Sequence, residues 1–439
     1  MSECIVPNEI LIIGPNAASQ TTLFFDSFHP YHVNRAYKKS HSIGGKGQNC
    51  ALACNQYGQP HKITLLQTLG GPTGEFITKV LHDKGLHHVT VTTSGATRTC
   101  TTLLDANTGT MTELIEPTVL LDGNECRQFE DSATRLIQWG RDTLRIIALC
   151  GSCPNGMTSS TYHNIAVQKP PHTFLFLDAV KDVHQILATQ KVDMLKVNGE
   201  EFLDIVSQLQ WIPHSTNGSS ELATYAARLP NLAKQFFEQY SLRFLAITNG
   251  PHQAYLFEQS ASQFHIFYLP HLESVLFDMY LSKRDEVVVQ HSENFLPPTV
   301  TLAHRSRLLE WETDNEEYLA ELQRSQKHSA SSARSVLRYE ADSAMNGTTG
   351  VYQGTPWPTR LLLNPLGAGD TANGVFLCDY LAHQDAVQAF AKGLAAASAS
   401  CLVTDYTGLF DQGVMQGVLE RIRIQPESFV TSSETLSMH

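Results

Sequence analysis

The chain has 439 residues, 42% of them hydrophobic, and its 31 Lys and Arg against 43 Asp and Glu give a formal charge of −12. That length and apolar content suffice for a sizeable core, and no run of about 18 apolar residues marks a membrane span. The acidic balance argues against non-specific nucleic-acid binding, which needs clustered Lys and Arg. Nine cysteines, odd in number and irregularly spaced, with no basic stretch and apolar core at the N-terminus, read as a reduced cytosolic protein.

In chain order, Glu9 to Gly14 predicts a first strand, Lys62 to Leu69 a second and Gly74 to Asp83 a helix. Further strands are expected at Arg145 to Cys150, Phe174 to Asp178 and Phe244 to Thr248. Helices are expected near Met157 to Val167, Gly199 to Gln208 and Glu221 to Tyr240. Short apolar strands alternating with amphipathic helices predict a doubly wound α/β fold with a mostly parallel sheet covered on both faces. Two segments break the alternation, Thr21 to Ile43 and His88 to Pro117, the latter with a polar turn at Asn107-Thr108-Gly109 between threonine-rich stretches. Hairpin-like pairs of this kind predict a small β-sheet projecting from the core. The expected division is therefore a core of 1–14, 44–87 and 118–439 and a lid of 15–43 and 88–117. Within the core, residues 270–345 read as a mobile, partly helical insertion, with a Pro-broken piece at Asn294 to Pro298, a charged helical pattern from Asp314 to Arg338, and Ser329, Ser331, Ser332 and Ser335 within it.

The most informative motif is Asn364-Pro365-Leu366-Gly367-Ala368-Gly369-Asp370-Thr371, running into the apolar pattern Val375, Phe376, Leu377, Leu381. A small-residue turn at a helix start leaves backbone N–H groups unpaired and favours an anion, phosphate above all. An Asp beside such a nest repels its guest unless it has a chemical task, such as taking the proton of an attacking hydroxyl. The plainer alternative is a loop with Asp370 as N-cap. A second cluster, Gly44-Gly45-Lys46-Gly47-Gln48-Asn49, precedes a helical run through Ala51, Ala53, Cys54 and Tyr57 that Gly58 closes. It is no Walker A loop, because Gly47 stands where Ser or Thr is needed. Its glycines admit close backbone approach, and Asn49 offers both donor and acceptor to a hydroxyl, as a polyol requires. Cys150 and Cys153 have CxxC spacing, but no second pair or histidine set completes a metal site.

Together the two clusters resemble the paired signatures of the ribokinase-like (PfkB) carbohydrate kinases, a GGKGxN element followed by a GAGD element. Collinear matches lie between them at Leu69 to Phe76, Thr97-Arg98-Thr99, Gly151 to Gly156, Asn198 to Glu201 and Thr248-Asn249-Gly250. The resemblance implies an ATP- and Mg²⁺-dependent kinase for a sugar or sugar phosphate, with a monovalent cation as an optional further ligand and a lid that excludes water and is often shared in a homodimer. It assigns Asp370 as general base and the N–H groups of Gly367, Ala368 and Gly369 as an anion hole. Asn198, Thr248 and Gly250 are placed at the nucleotide and Glu201 at the metal, although a capping-box carboxylate explains Glu201 as well. Gly44, Gly45, Asn49 and Ser152 fall to the acceptor. The chain is most similar to the branch of 1-phosphofructokinase and tagatose-6-phosphate kinase, through Val33-Asn34-Arg35, the Thr97-Arg98 pair, Ile115-Glu116-Pro117 and Asn364. Arg98 and Arg35 would then hold a substrate phosphate, or in the alternative make surface ion pairs. Where the branch reads NPALD, this chain has Asn16-Ala17-Ala18-Ser19-Gln20, so a neutral Gln20 replaces a sugar-binding carboxylate and leaves the acceptor open. A kinase for a nucleoside or other polyol, and a non-catalytic kinase-like scaffold, remain the rival readings.

Overall fold

The computed structural model describes residues 8–58, 62–158, 160–213, 225–251, 253–276, 278–279 and 363–429. The chain divides into two units, Met1–Gln290 with Leu363–His439 and His291–Leu362. The second lies wholly outside the described residues, as does nearly all of the expected insertion.

In the first unit, ten strands form one sheet. Its parallel part comprises β1 (Ile10–Ile13), β4 (Ile63–Leu69), β5 (His88–Thr92), β8 (Ile146–Cys150), β9 (Phe174–Asp178), β10 (Met194–Asn198) and β11 (Phe244–Asn249), while β12 (Gln253–Glu258), β13 (Gln263–Tyr268) and β14 (Arg423–Ser428) continue it antiparallel. The order is β14-β13-β12-β11-β10-β9-β8-β1-β4-β5. The central strands read as unbroken apolar runs, Ile10-Leu11-Ile12-Ile13 for example, because a parallel sheet is buried on both faces.

Alternate residues supply two cores. Leu11, Ile13, Ile147 and Leu149 pack under α3 (Gly123–Trp139), α4 (Ser160–Val167), α5 (Val183–Leu187), α6 (Gly199–Gln208) and α7 (Leu229–Gln239). Ile10, Ile12, Ile146 and Ala148 face α1 (Lys46–Tyr57), α2 (Gly71–Asp83), α8 (Ala368–His383) and α9 (Ala386–Ser400). Helices α1 and α8 meet at Gly374, where a Cβ would lie 2.5 Å from the Cys50 carbonyl oxygen. The thiols of Cys50, Cys54 and Cys150 are buried in this region and lie well above their ordinary range. For Cys50 the hydrogen bond with Cys150 lowers the pKa, but the bond with Cys54 and burial outweigh it; Cys150 is raised first by its bond with Cys50 and then by burial, Cys54 first by burial. Helix α10 (Gln412–Leu419) precedes β14.

The second sheet, β3-β2-β6-β7, is built from β2 (Ala18–Phe25), β3 (Lys38–Gly44), β6 (Thr99–Asp105) and β7 (Thr110–Ile115). The expected boundary at 88 needs correction: β5 pairs parallel with β4 in the large sheet, so the segment that feeds the small sheet starts after Thr92. The boundary of the insertion moves as well. Val275 is fully buried and lies against Gly417 of α10, which places this stretch in the core. Contacts that tie the small sheet to the core include His41 stacked on Phe76 of α2 with ring centroids 4.1 Å apart, and Lys38 paired with Asp405 at 2.7 Å. The ion pair is half exposed, which limits its worth to about 1 kcal/mol or less.

Candidate active site

Charged and small residues gather where the parallel strands end. Asp178 closes β9, Asn198 closes β10, Thr248 stands beside Asn198 in the register, and Gly151 follows β8. The carboxyl ends of an open α/β sheet are where such folds bind ligands. The two glycine clusters meet there. Gly44 ends β3 and Gly45 is the N-cap of α1, while Gly367, with φ +75°, is the N-cap of α8. Gly367, Ala368 and Gly369 thus open a helix of 16 residues, whose first N–H groups have no intrahelical acceptor; the expected set of three is corrected to Gly367 and Gly369, because the Ala368 N–H turns back to the Pro365 carbonyl at 3.1 Å.

Asp370 sits in the first turn of α8, 8% exposed. Its Oδ2 accepts from Asn49 Nδ2 at 2.8 Å, joining two helices 321 residues apart in sequence. Burial, and then the charge of Asp178, push its carboxyl up to about 6 against Lys46, Asn49 and Lys196, which pull the other way. Asp178 goes in the opposite direction. Burial would raise it, but Lys196 and Lys46, with hydrogen bonds from Lys46 and Asn373, hold it below the ordinary carboxylate range. Lys46 Nζ lies 2.7 Å from Asp178 and 3.5 Å from Glu201, and Lys196 Nζ 3.7 Å from Asp178. For Lys46, burial lowers the ammonium pKa and the three surrounding carboxylates outweigh it, so the charge is fixed. Lys196 also faces the glycine turn: a Cβ on Gly369 would come within 2.9 Å of its Nζ.

Several expected residues are thereby brought together, and some in roles other than those expected. Asn49 gives a donor to Asp370 and its acceptor to Thr407, so it faces Asp370 instead of offering both ends to a hydroxyl. Glu201 forms a reciprocal capping box with Asn198 at the start of α6 and turns its other oxygen toward Lys46. Among the described residues no group of three or more His, Cys, Asp or Glu is placed to hold a metal. Cys150 and Cys153 are free thiols. Ser152 accepts from Asn16, and a Cβ on Gly250 would meet open space. Gln20 gives its amide to Thr102 at 2.9 Å and to the Thr21 carbonyl, and lies against Gly44.

Arg98 precedes β6, and its field is felt by Cys100 and Glu113, which the β6–β7 pairing places close by. Its Nε is buried without a hydrogen-bond partner. Arg35 is exposed on the loop between β2 and β3, and no ion pair holds it among the described residues. Lys46, Asp178, Lys196 and Thr407 were not singled out from the sequence. A lysine in the middle of the otherwise apolar strand Met194–Asn198 and an aspartate at the end of Phe174–Asp178 were the signal available for two of them.

The sequence profile of the pfkB family carbohydrate kinases matches residues 19–271. The chain belongs to this family. The matched residues include the first glycine cluster and end before Gly367. Solved structures with the same fold include phosphofructokinase-2 from Escherichia coli in complex with substrates and products, at 14% identity and TM-score 0.60, covering 94% of this chain and 99% of that one. A Thermotoga maritima protein described as a possible 1-phosphofructokinase has 13% identity and TM-score 0.61, covering 95% and 99%. Ribokinase from Giardia lamblia has 13% identity and TM-score 0.55, covering 93% and 99%. The fold is that of a ribokinase-like carbohydrate kinase, and no helix among the described residues is long and apolar enough to cross a membrane.

Proposed function

We propose that this member of the pfkB family transfers the γ-phosphoryl group of ATP to a hydroxyl of a sugar or sugar phosphate, with Asp370 as general base and the Gly367–Gly369 turn as anion hole. The observation that carries the reading is the placement of Asp370: a buried carboxyl lifted to about 6, at a helix start where the Gly367 and Gly369 N–H groups form no hydrogen bond among the described residues, with two lysine ammonium groups beside it. A base poised near neutral pH can take the acceptor's proton, while the N–H groups, Lys46 and Lys196 offset charge on the transferring phosphoryl. Bound Mg²⁺ would neutralise phosphate oxygens. Glu201 is the carboxylate that would hold its hydration shell, and Thr248, Gly250 and Asn198 border the nucleotide side. Gly44, Gly45, Ser152 and Gln20 border the acceptor.

A phosphorylated acceptor is favoured by Arg98, whose buried unpaired Nε has donor capacity for an anion. Structures with this fold include E. coli phosphofructokinase-2 with fructose-6-phosphate and the same enzyme with potassium, in line with a hexose phosphate acceptor and a monovalent cation. That enzyme also has a tetrameric form. Here Leu114 and Ile115 at the end of β7 are more than half exposed, an apolar edge suited to a homodimer through the lid. The experiment is a panel: purified protein with Mg-ATP, assayed for ADP release on fructose, ribose, fructose 1-phosphate, fructose 6-phosphate, tagatose 6-phosphate and nucleosides. Turnover on a sugar or sugar phosphate is expected. ADP release on nucleosides alone, or on none of the panel, overturns the reading.

A further inference from the structure

The side chain that holds Asp370 is itself held. Thr407 Oγ1 lies 2.8 Å from Asn49 Oδ1 and 2.7 Å from the Ile43 carbonyl oxygen. Thr407 and Asn49 are 2% and 4% exposed. Gly367 presses on the pair from one side, where a Cβ would come within 3.0 Å of Asn49 Nδ2 and 3.2 Å of Thr407 Cβ. Gly408, at φ +73°, closes the other side against the Asn49 backbone. The chemistry leaves one amide orientation for an ionised base. A carboxylate has no proton to give, so the hydrogen between Asn49 and Asp370 must come from the Asn49 NH₂. A flipped amide would set two acceptors, Asn49 Oδ1 and Asp370 Oδ2, face to face. The Thr407 hydroxyl has one proton for two acceptors, the Ile43 carbonyl and Asn49 Oδ1, and among the described residues it is the donor that reaches Oδ1 once the NH₂ is turned to Asp370.

We propose that Asn49 and Thr407 are positioning residues for the base: Thr407 fixes the Asn49 amide with its NH₂ toward Asp370, and this fixes the carboxylate with its other oxygen, Oδ1, for the acceptor hydroxyl. The proposal rests on Asp370 being the base. Among the described residues no hydrogen bond is formed to Asp370 Oδ1, so one oxygen is committed and one is available. The charged and titratable groups around Asp370 are Asp178, Lys46 and Lys196, with Glu201 acting through Lys46 and the Cys50 and Cys150 thiols behind. None of them bonds Thr407, so a change at Thr407 reaches Asp370 through Asn49.

The test uses the full chain with Mg-ATP and the best acceptor, with kcat and kcat/KM followed against pH. Thr407→Val keeps the shape and removes the hydroxyl. Freed to rotate, the Asn49 amide stops stabilising the charged carboxylate, so the acid limb should move up by about half a pH unit or more. Loss of geometry should lower kcat by about 10- to 100-fold, while the KM for ATP stays unchanged. Thr407→Ser should restore both, which a merely structural role of the methyl group would not allow. Should the valine variant fail to fold, Thr407→Ala carries the same expectation. In an Asp370→Asn background the Thr407 change should add no further loss. Asp370→Asn crippled, with Thr407→Val or Thr407→Ala wild-type in kcat and pH profile, overturns the positioning role. Full turnover in Asp370→Asn overturns the base assignment instead, so the two failures are distinct.

Discussion

At the scale of single residues, Asp370 combines three properties that a general base needs: burial, a lifted carboxyl pKa and a hydrogen bond that fixes its plane. Asp370→Asn should lower kcat by roughly 10² to 10⁴-fold and leave nucleotide binding nearly intact. Steady-state kinetics with nucleotide titration check this. The wild-type kcat/KM should fall as pH drops through about 6, because the base must be ionised in the free enzyme. The linked stability effect has the opposite sign. A folded pKa above the ordinary carboxylate range makes the ionised group costly above pH 6, and that cost fades as the pH falls below 6. On the acceptor side, Arg98→Ala should reduce kcat/KM for a phosphorylated acceptor by about 30-fold to several thousand-fold, as for truncating one partner of a buried charge pair. The ATP KM should hold. An unchanged specificity constant would show that the guanidinium does not meet a substrate phosphate. Asp370 was legible in the sequence because a carboxylate next to an anion nest is chemically conspicuous. Thr407 was not, since one threonine at the far end of the chain gives no pattern until the fold sets it against Asn49.

At the scale of elements, the proposed site depends on how closely α8 approaches α1. Gly374 makes that approach possible, with backbone atoms of Cys50 and Cys54 where a side chain would begin. Gly374→Ala gains about 1 kcal/mol of helix propensity, yet the backbone contact cannot yield as a flexible side chain would. The net effect should be a loss of about 1–3 kcal/mol in denaturant unfolding. A drop in kcat should accompany it, since Asp370 lies one helical turn away. A variant as stable and as fast as the parent would show that the helices part without consequence. The central strands were legible because apolar runs of five to seven residues between turns have few other readings. The lid was harder: His88 to Pro117 is threonine-rich throughout, and only pairing with β4 assigns β5 to the large sheet.

At the scale of the whole molecule, residues of the first unit up to Val275 are built into the core, which limits what can be removed. Replacing 291–362 by a Gly/Ser linker should retain kinase activity, because the entropy of closing a longer loop grows only slowly with its length. A replacement beginning at 272 should lose thermal stability, since Leu272 and Val275 would go with it. Equal stability of the two deletions would refute the boundary. The thiols of Cys50, Cys54 and Cys150 have one more consequence. With 1% exposure or less and pKa values raised well above the ordinary range, they are shielded from alkylating reagents as long as α1 stays docked. Each becomes an ordinary nucleophile once that helix lifts away. Their labelling rate in the native protein therefore acts as a clock for the parting of α1 and α8, and a bound acceptor, which the proposed site sets between those two helices, should slow it.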